Sequence, residues 1–588
     1  MMTTSAASAK VVNGVAADCH GQNFYDIDPA FRVLLKHYMS PALHSHLEPH
    51  LQRLGGISGG RLDELARIAD VHQPELHQRD AFGRDADWIE YHPAYREMER
   101  IAFDDFGLHA MSHRGGVLGW PEPMGPTAKY AIKYLFVQGE FGLMCPVSLC
   151  DTAAFMVNRY APPEIRERYL PRMTALDGDE MWTGTQFMTE QAGGSDVAKL
   201  EVVGRQENGE WRIHGDKWFC SHADSDVILL LGRTGTMAEG SRGLSLFLVP
   251  RTLEDGSRNS YRTLRLKSKM GTRSMATGEI RFEGALAYLM GEEGRGLRQV
   301  MDQVNLSRLS HGVRAAAMMR RCLNEAMAVA RHREAFGKPL IGHPLMRRQL
   351  LKIMLPTEQG LSAYLFTAHM MERADNGDQA AAKTLRLLTP LIKFRACRDN
   401  IAVATASMEV RGGNGFIEDW VNPRLVRDAH TGVLWEGTSS IVALDVTTRA
   451  VAKNRAHEAL AEALRELLDD TGGIPGQFRG ELSGMVDQAV AFADEVAADP
   501  ENEPYARQAT NALYHAMTAV LLAREGALIA TETGDARRAL LARLVIDHRM
   551  NSRDPMSIAD RTVEKSAAEL LLGDRPASMA EIETVLRR

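Results

Sequence analysis

From about residue 181 to residue 290 the chain changes its hydrophobic repeat, and that change restricts the architectures open to it. Short runs rich in β-branched, aromatic and leucine residues follow one another: Met181–Met188, Leu200–Arg205, Trp211–His214, Val227–Gly232, Gly243–Val249 and Glu279–Phe282. Asn208-Gly209, His214-Gly215 and Asp255-Gly256 punctuate them with the residue types that tight turns need. The spacing predicts a compact antiparallel barrel or sandwich of about 110 residues. Both flanks read as helix. Asp28-Pro29, His92-Pro93 and Pro126 open helices on the N-terminal side, since proline fits the first helical turn. Beyond Gly296 the segments 297–335, 344–374 and 379–410 are long, amphipathic and rich in Ala, Leu and Met, which suits an antiparallel bundle. The expected fold is therefore an α+β multidomain chain. Its parts are an extended or disordered tail (1–23), an N-terminal helical domain (24–180), a middle β-domain (181–290), a helical bundle (291–450) and a further helical domain (451–588).

A chain of 588 residues exceeds what one core supports, so several domains are required. Its net charge of −7 gives no overall footprint for nucleic acid. Residues 451–588 hold 16 Lys and Arg against 23 Asp and Glu, so most or all of the negative charge lies there. A basic stretch, Arg537 to Arg561, interleaves arginines with apolar residues and reads as a solvated helix face. The six cysteines (19, 145, 150, 220, 322 and 397) form no CxxC pair, which fits a reducing, cytoplasmic setting. No apolar run is long enough to predict a membrane span, and the N-terminal residues lack the apolar core of a signal peptide. His37, His44, His46 and His50 lie close in sequence, in a segment that Pro41 and Pro49 are expected to interrupt, without an acidic cluster. They read as surface histidines, and no metal is expected.

Five short stretches carry chemistry. In Phe187-Met188-Thr189-Glu190-Gln191-Ala192-Gly193-Gly194-Ser195-Asp196 a strand ends in a hydroxyl and then a glycine pair. Such a turn brings backbone N–H groups close to a bound anion, although it is also ordinary turn chemistry. Lys217-Trp218-Phe219-Cys220-Ser221 places aromatic rings beside a hydroxyl, as a wall for a planar cofactor or as a core strand. Arg333-Glu334-Ala335-Phe336-Gly337-Lys338 and Arg411-Gly412-Gly413-Asn414-Gly415-Phe416 end helices with arginine and glycine. Each suits either phosphate anchoring or a plain C-cap. The fifth stretch, His430 to Asp445 (HTGVLWEGTSSIVALD), sets Glu436 between an indole and a glycine ahead of a helix. There it is either a desolvated general base or an acid favoured by the helix dipole.

Together and in this order the motifs resemble those of the acyl-CoA dehydrogenase flavoprotein family. The resemblance rests on MTEQAGGSD, KWFCS, LGRTG…GLSLFLVP, KMGTRS…EIRF, GEEGRGL, REAFGKPL, MEVRGGNGF and LWEGTSSI, across roughly residues 134–450. QPELHQRDAFGRDADWIEYHPAYREM and the tail after Asp445 are most similar to one branch, the adaptive-response AidB-type proteins. The resemblance implies a helical domain, a middle antiparallel β-barrel and a helical bundle, with an extra C-terminal helical domain in that branch. It implies noncovalent FAD, with Gln186, the Met188 backbone, Thr189 and Ser221 among its contacts and Phe219 stacked near the isoalloxazine. Ser195 would reach the pyrophosphate or the CoA arm. Arg333, Phe336 and the Gly412-Gly413 turn would hold the adenine half across a subunit interface, with Thr438 and Ser440 beside the flavin. A homo-oligomer, dimer or tetramer, follows from shared sites.

For the reaction, the resemblance implies that Glu436 removes the α-proton of an acyl-CoA while the β-hydrogen leaves as hydride to flavin N5. The Glu436 N–H and a ribityl hydroxyl would hold the thioester oxygen, with Trp435, Gly437 and Arg308 at the substrate. In two subgroups of the family the base sits on an earlier helix, and Ser307 stands at that position here. The sequence departs from the family at Trp435 (usually Tyr), Phe219 (usually Trp), Ser221 (usually Thr) and Glu409 (usually Gln). Glu409 is an unusual neighbour for phosphates unless Arg411 pairs with it. The implied activity is FAD-dependent desaturation of an acyl-CoA in fatty acid or amino acid catabolism, with electrons passing to an electron-transfer flavoprotein. The alternative is an AidB-like flavoprotein that binds DNA and protects it against alkylation, with weak or vestigial dehydrogenase activity. The acidic balance after residue 451 disfavours that alternative, because phosphate binding rests on Lys and Arg.

Overall fold

The structure, a computed structural model, describes residues 11–552 other than 13, together with 554, 556 and 561–587. The first ten residues of the expected tail lie outside the described residues; Val11–Val12 and Val15–Ala16 pair as a short antiparallel hairpin. Contacts divide the chain into two compact units, and each is discontinuous in sequence. One comprises residues up to 60, 126–138 and 311–588; the other comprises 61–125 and 139–310.

The second unit is built on a seven-stranded sheet. Thr277–Met290 pairs with Glu210–Ser221, which pairs with Val203–Glu207, which bridges to Val227–Arg233. Leu244–Pro250 then pairs with both Val227–Arg233 and the far end of Thr277–Met290, so the hydrogen bonds close a ring. One strand serves two neighbours because it bends: its register shifts between Glu283 and Ala285, around Gly284 at φ 86°. The expected barrel is therefore present, but its sheet is mixed rather than purely antiparallel. Gly184–Phe187 lies parallel to Val227–Arg233 at one edge, reached through the long crossover that parallel pairing demands. Leu229, Leu231, Leu246 and Leu248 face Ala153, Val157, Tyr169 and Met173 of helices Met144–Tyr160 and Pro163–Met173 in one core. The helical reading of 24–180 missed a hairpin in this unit, Glu75–Arg79 with Asp85–Glu90. Most of its side chains are exposed, so it carries little of the alternation that marks a strand.

The first unit is helical. Asp28 caps Pro29–Tyr38, its carboxylate accepting from the Phe31 N–H at 3.1 Å. Pro41–Gly59 is one helix that runs through Pro49, correcting the expected interruption; a proline removes one donor and the flanking bonds hold. Within that segment His44 faces Glu48 at 3.5 Å, and His37 of the preceding helix meets Glu532 at 2.8 Å. Pro344–Asp375 and Gln379–Arg411 pack side by side, and Ala506–Thr533 lies on both. Residues beyond 451 therefore share one compact unit with the bundle. Buried charges cross that packing. Arg320 meets Asp28 at 2.9 Å and Glu358 at 2.5 Å, while Arg538 meets Glu358 and, at 2.9 Å, Glu525. Ser362 and Tyr38 donate to the same Glu525 at 2.6 and 3.1 Å. Such a set is stable only when each charge is paired and hydrogen-bonded. All six cysteines are buried thiols, and among the described residues no helix is long and apolar enough to cross a membrane.

Candidate active site

In the first unit Glu436 sits on a kink rather than at a helix start. Glu436 and Gly437 both have left-handed backbone, φ 54° and 93°, and helix Ser439–Asp445 begins only after Thr438. A non-glycine residue held there costs about 1–2 kcal/mol, so the surrounding contacts must fix it. They come largely from the helix Gln379–Arg411. A Cβ on Gly432 would meet Cys397 Sγ at 2.9 Å, so the loop lies directly on that helix. Lys393, buried on the same helix, donates from Nζ to the carbonyl of Gly437, and Arg398 Nη1 lies 3.4 Å from Ser439 Oγ. Trp435 sets its ring edge-on to His311 at 5.6 Å, and Arg314 Nη2 lies 3.0 Å from the His311 imidazole. Burial first, then the charges of Arg314 and Lys393, push the His311 pKa well below its ordinary value, so the ring is neutral. Thr438 and Ser440 are exposed beside this loop.

Elsewhere in this unit two of the sequence motifs come together. After helix Gly296–His332 the chain makes a two-residue hairpin in which Glu334–Ala335 pairs with Lys338–Pro339. Phe336 and Gly337 form its turn at φ 52° and 79°, the pattern of a type I′ turn, which leaves Phe336 97% exposed. Arg333 at its base donates from Nη1 to the Arg411 carbonyl at 3.1 Å, and a Cβ on Gly412 (φ 74°) would lie 3.3 Å from that guanidinium. Gly413 is open to solvent. Arg411 itself turns inward to Glu325 at 3.0 Å and to Asn422, with its guanidinium 4.1 Å from the Trp420 centroid. Glu409 takes Gln349 at 3.2 Å instead, so the pairing considered for Glu409 and Arg411 is corrected.

In the second unit the MTEQAGGSD and KWFCS stretches are joined by an ion pair that the sequence did not disclose. Lys217, fully buried, meets Glu190 at 2.6 Å and also donates to the carbonyls of Leu231 (2.9 Å) and Met188 (3.3 Å). The other Glu190 oxygen accepts from the N–H groups of Glu201 and Val202 at 2.5 and 3.1 Å. The Trp218 N–H reaches the Thr189 carbonyl at 2.9 Å. Phe219 is thereby presented half-exposed, with Ser221 two residues on and Ser195 exposed on the glycine turn. Gln186 directs its amide inward, to Thr152 at 2.9 Å and the Leu149 carbonyl at 3.2 Å. Ser307 and Arg308 are buried on their helix. The signal for Lys217 was a lysine at an inward strand position, in register with buried Ile213 four residues before. For Lys393 it was a lone cation inside the apolar run LLTPLIKF.

The basic stretch after residue 537 is largely engaged within the protein. Arg537 meets Asp535 at 2.7 Å, Arg538 is buried among Glu358 and Glu525, and Arg543 is buried against Glu481 at 2.6 Å and Asp547 at 2.8 Å. Arg553 and the Arg561 side chain lie outside the described residues.

A barrel flanked by helices, with a kinked Glu loop on a bundle, is the architecture of acyl-CoA dehydrogenases, and sequence comparison agrees. The family models for the acyl-CoA dehydrogenase middle domain and C-terminal domain match residues 185–285 and 294–451. The chain belongs to the acyl-CoA dehydrogenase family, oxidoreductases acting on CH–CH bonds with FAD as cofactor. Within it the chain is most like the AidB branch: the model for the adaptive response protein AidB N-terminal domain matches residues 15–180. The putative acyl-CoA dehydrogenase AidB of Escherichia coli (strain K12) is 34% identical over 417 residues, 69% of this chain and 74% of that protein. Acyl-CoA dehydrogenase family member 11 of Caenorhabditis elegans is 29% identical over 460 residues, 76% of this chain and 74% of that protein. The solved structure of Caenorhabditis elegans ACDH-11 in complex with C11-CoA superposes with a TM-score of 0.82 at 24% identity, covering 98% of this chain and all of that one.

The residues present fit FAD. Within the second unit, an exposed aromatic edge stands beside a hydroxyl and a glycine turn. Within the first, an exposed arginine lies against the left-handed Gly412 turn, close enough that a Cβ there would crowd its guanidinium, and Phe336 stands in solvent.

Proposed function

We propose that the protein is an FAD-dependent acyl-CoA dehydrogenase in which Glu436 is the general base. The observation that carries this reading is the built seat of that one carboxylate. Its strained backbone, the Lys393 bond to the next carbonyl and the Trp435–His311 contact fix the stretch of chain that carries it. A commonplace surface acid needs none of them. Glu436 removes the α-proton of a CoA thioester, and its own N–H donates to the thioester oxygen as negative charge develops there. Bound FAD supplies the two-electron acceptor for the β-hydrogen. Thr189, Ser221 and the Met188 backbone would hold the flavin ring system through polar groups, with Phe219 beside it. Arg333, with the Gly412 turn, holds phosphate charge, and Ser195 meets the pyrophosphate or the CoA arm. Thr438 and Ser440 add hydroxyls beside the base, and Gly437 borders the thioester; Arg308 is assigned to the substrate from its place in the sequence alone. Trp435, larger than the tyrosine usual in the family, narrows the acyl end of the site.

The solved relative named for its complex with C11-CoA supports a CoA thioester as the ligand class. The electron acceptor we assign is an electron-transfer flavoprotein. Exposed Phe336, Leu345 and Phe416 on the first unit support association with a second copy, as a dimer or tetramer. The nucleic-acid alternative gains nothing from Arg537, Arg538 and Arg543, whose guanidinium groups meet carboxylates of the protein itself.

The test is anaerobic mixing of the holoprotein with a panel of acyl-CoAs, straight and branched, from butyryl-CoA to palmitoyl-CoA, while following flavin absorbance. Bleaching is expected with at least one member and slows roughly 10²–10⁴-fold in Glu436→Gln, the range a positioned base contributes. No bleaching across the panel, or bleaching untouched by Glu436→Gln, overturns the reading.

A further inference from the structure

Lys393 lies in the interior of the helix Gln379–Arg411, 44 positions before Gly437, and its side chain is 1% exposed. A lysine buried to this degree is rare, because the ammonium must be paired and hydrogen-bonded to offset its lost hydration. Its Nζ donates to the carbonyl of Gly437, the residue directly after Glu436. That carbonyl belongs to the second of two consecutive left-handed residues, so the bond fixes the peptide on which the kink depends. The same helix supports the loop at two further points, Cys397 under Gly432 and Arg398 at Ser439. Phe394 joins Val442 and Ala443 in the core behind it. On the facing helix Gly296–His332, His311 braces Trp435, and Arg314 lies against His311. The charged and titratable groups packed around the loop include Lys393 and Arg398 from one helix and His311 and Arg314 from the other; Arg398 also faces Arg395, Asp399 and Arg507, and Asp445 at the end of the loop's helix meets Arg386 at 3.3 Å and Arg449 at 3.9 Å.

We propose that Lys393 is a positioning residue for the base. It anchors the Gly437 carbonyl, holds Glu436 in its left-handed turn, and places a buried cation one peptide away that favours the carboxylate. The inference rests on the reading of Glu436 as the base. A neutral group such as Asn or Gln would supply the hydrogen bond; the buried cation adds an electrostatic bias toward ionised Glu436, which is itself half-buried, so water screens that bias in part. A lysine kept only for packing would do neither, and methionine would replace it at similar volume.

The experiment compares wild type, Lys393→Met, Lys393→Arg and Glu436→Gln as holoproteins, using the fastest-bleaching acyl-CoA of the panel above. Flavin content and melting temperature report on the fold. The rate of flavin reduction, the apparent Kd for the acyl-CoA and the loss of α-deuterium from the bound thioester report on the base. Lys393→Met is expected to retain FAD and to bind acyl-CoA within about threefold, because it removes no substrate contact. It should slow both flavin reduction and α-deuterium loss by roughly 10²-fold, the scale of a displaced catalytic group. The acid limb of its pH–rate profile should move to higher pH, and Lys393→Arg should recover most of the rate. Should Lys393→Met fail to fold, Lys393→Gln, which keeps an N–H donor without the charge, is judged on the acid limb alone: it should keep most of the rate at high pH and move the limb to higher pH, and an unmoved limb overturns the proposal. For Lys393→Met, rates within twofold of wild type, or an unmoved acid limb, overturn the proposal while an inactive Glu436→Gln leaves the base reading standing. An active Glu436→Gln overturns both.

Discussion

Lys217 and Glu190 are the residue-scale counterpart of Lys393 in the second unit: a single buried pair that fixes a turn. The lysine makes three bonds and the carboxylate accepts three, so neither charge is left unsatisfied. Burial alone drives the Lys217 pKa below its ordinary value, with Glu190 opposing the shift. Removing one partner strands the other. Lys217→Met is expected to lower unfolding free energy by about 3–5 kcal/mol, measured by urea denaturation. It should also weaken FAD retention, because the Met188 carbonyl loses its donor. Glu190→Gln keeps an acceptor for the Glu201 and Val202 N–H groups and should cost less. An equal loss for both variants would mean that the charge, rather than the acceptor geometry, sets the turn.

At the scale of an element, the short helix Pro93–Arg100 carries a titrating group into the protein. Glu99 is pushed up to about 7 by burial, against the opposing pull of Arg96 at 2.6 Å. Its folded pKa lies above the unfolded carboxylate value. The stability it contributes is therefore present below that unfolded value and lost as pH rises through about 7. Glu99→Gln should consequently melt close to wild type at pH 5 and above it at pH 8, with the difference appearing between. A constant difference across that range would show that Glu99 stays ionised throughout. This element was legible in sequence because His92-Pro93 marks its start, and the His92 ring does accept from the Ala94 N–H at 3.1 Å. The neighbouring hairpin was not. Its first strand faces solvent, and in the second the alternating burial takes Asp87 inside and leaves Trp88 outside, so hydrophobicity does not follow the period, whereas the barrel strands were legible from their near-continuous apolar runs.

For the whole molecule, the sequence motifs mark where chain meets cofactor, and the pairs that hold those motifs in place lie far apart in sequence. Glu190 finds Lys217 27 positions on, Lys393 finds Gly437 44 positions on, and Arg333 finds Arg411 78 positions on. Local pattern cannot announce such partners, although a charged residue inside an apolar run is a legible anomaly. The barrel, the bundle and the helix openings followed from periodicity; the parallel edge strand and the continuation through Pro49 did not. The buried set around Glu358 reaches further, where Asp28, Arg320, Glu525 and Arg538 bring together segments hundreds of residues apart. Arg538→Met removes a cation from two carboxylates and should lower the melting temperature while exposing residues beyond 500 to limited proteolysis first. An unchanged cleavage pattern would mean that apolar packing alone holds them. The discontinuity of the first unit has a consequence for how the protein is made. Phe24, Tyr25, Phe31, Leu34 and Leu35 are buried in a unit whose remaining bulk begins at residue 311. A ribosome adding about 5–20 residues per second delivers that bulk on the order of tens of seconds after these side chains emerge. During synthesis the first sixty residues are thus an apolar segment awaiting its partner, and a chaperone that shields them in that interval protects the yield of the finished enzyme.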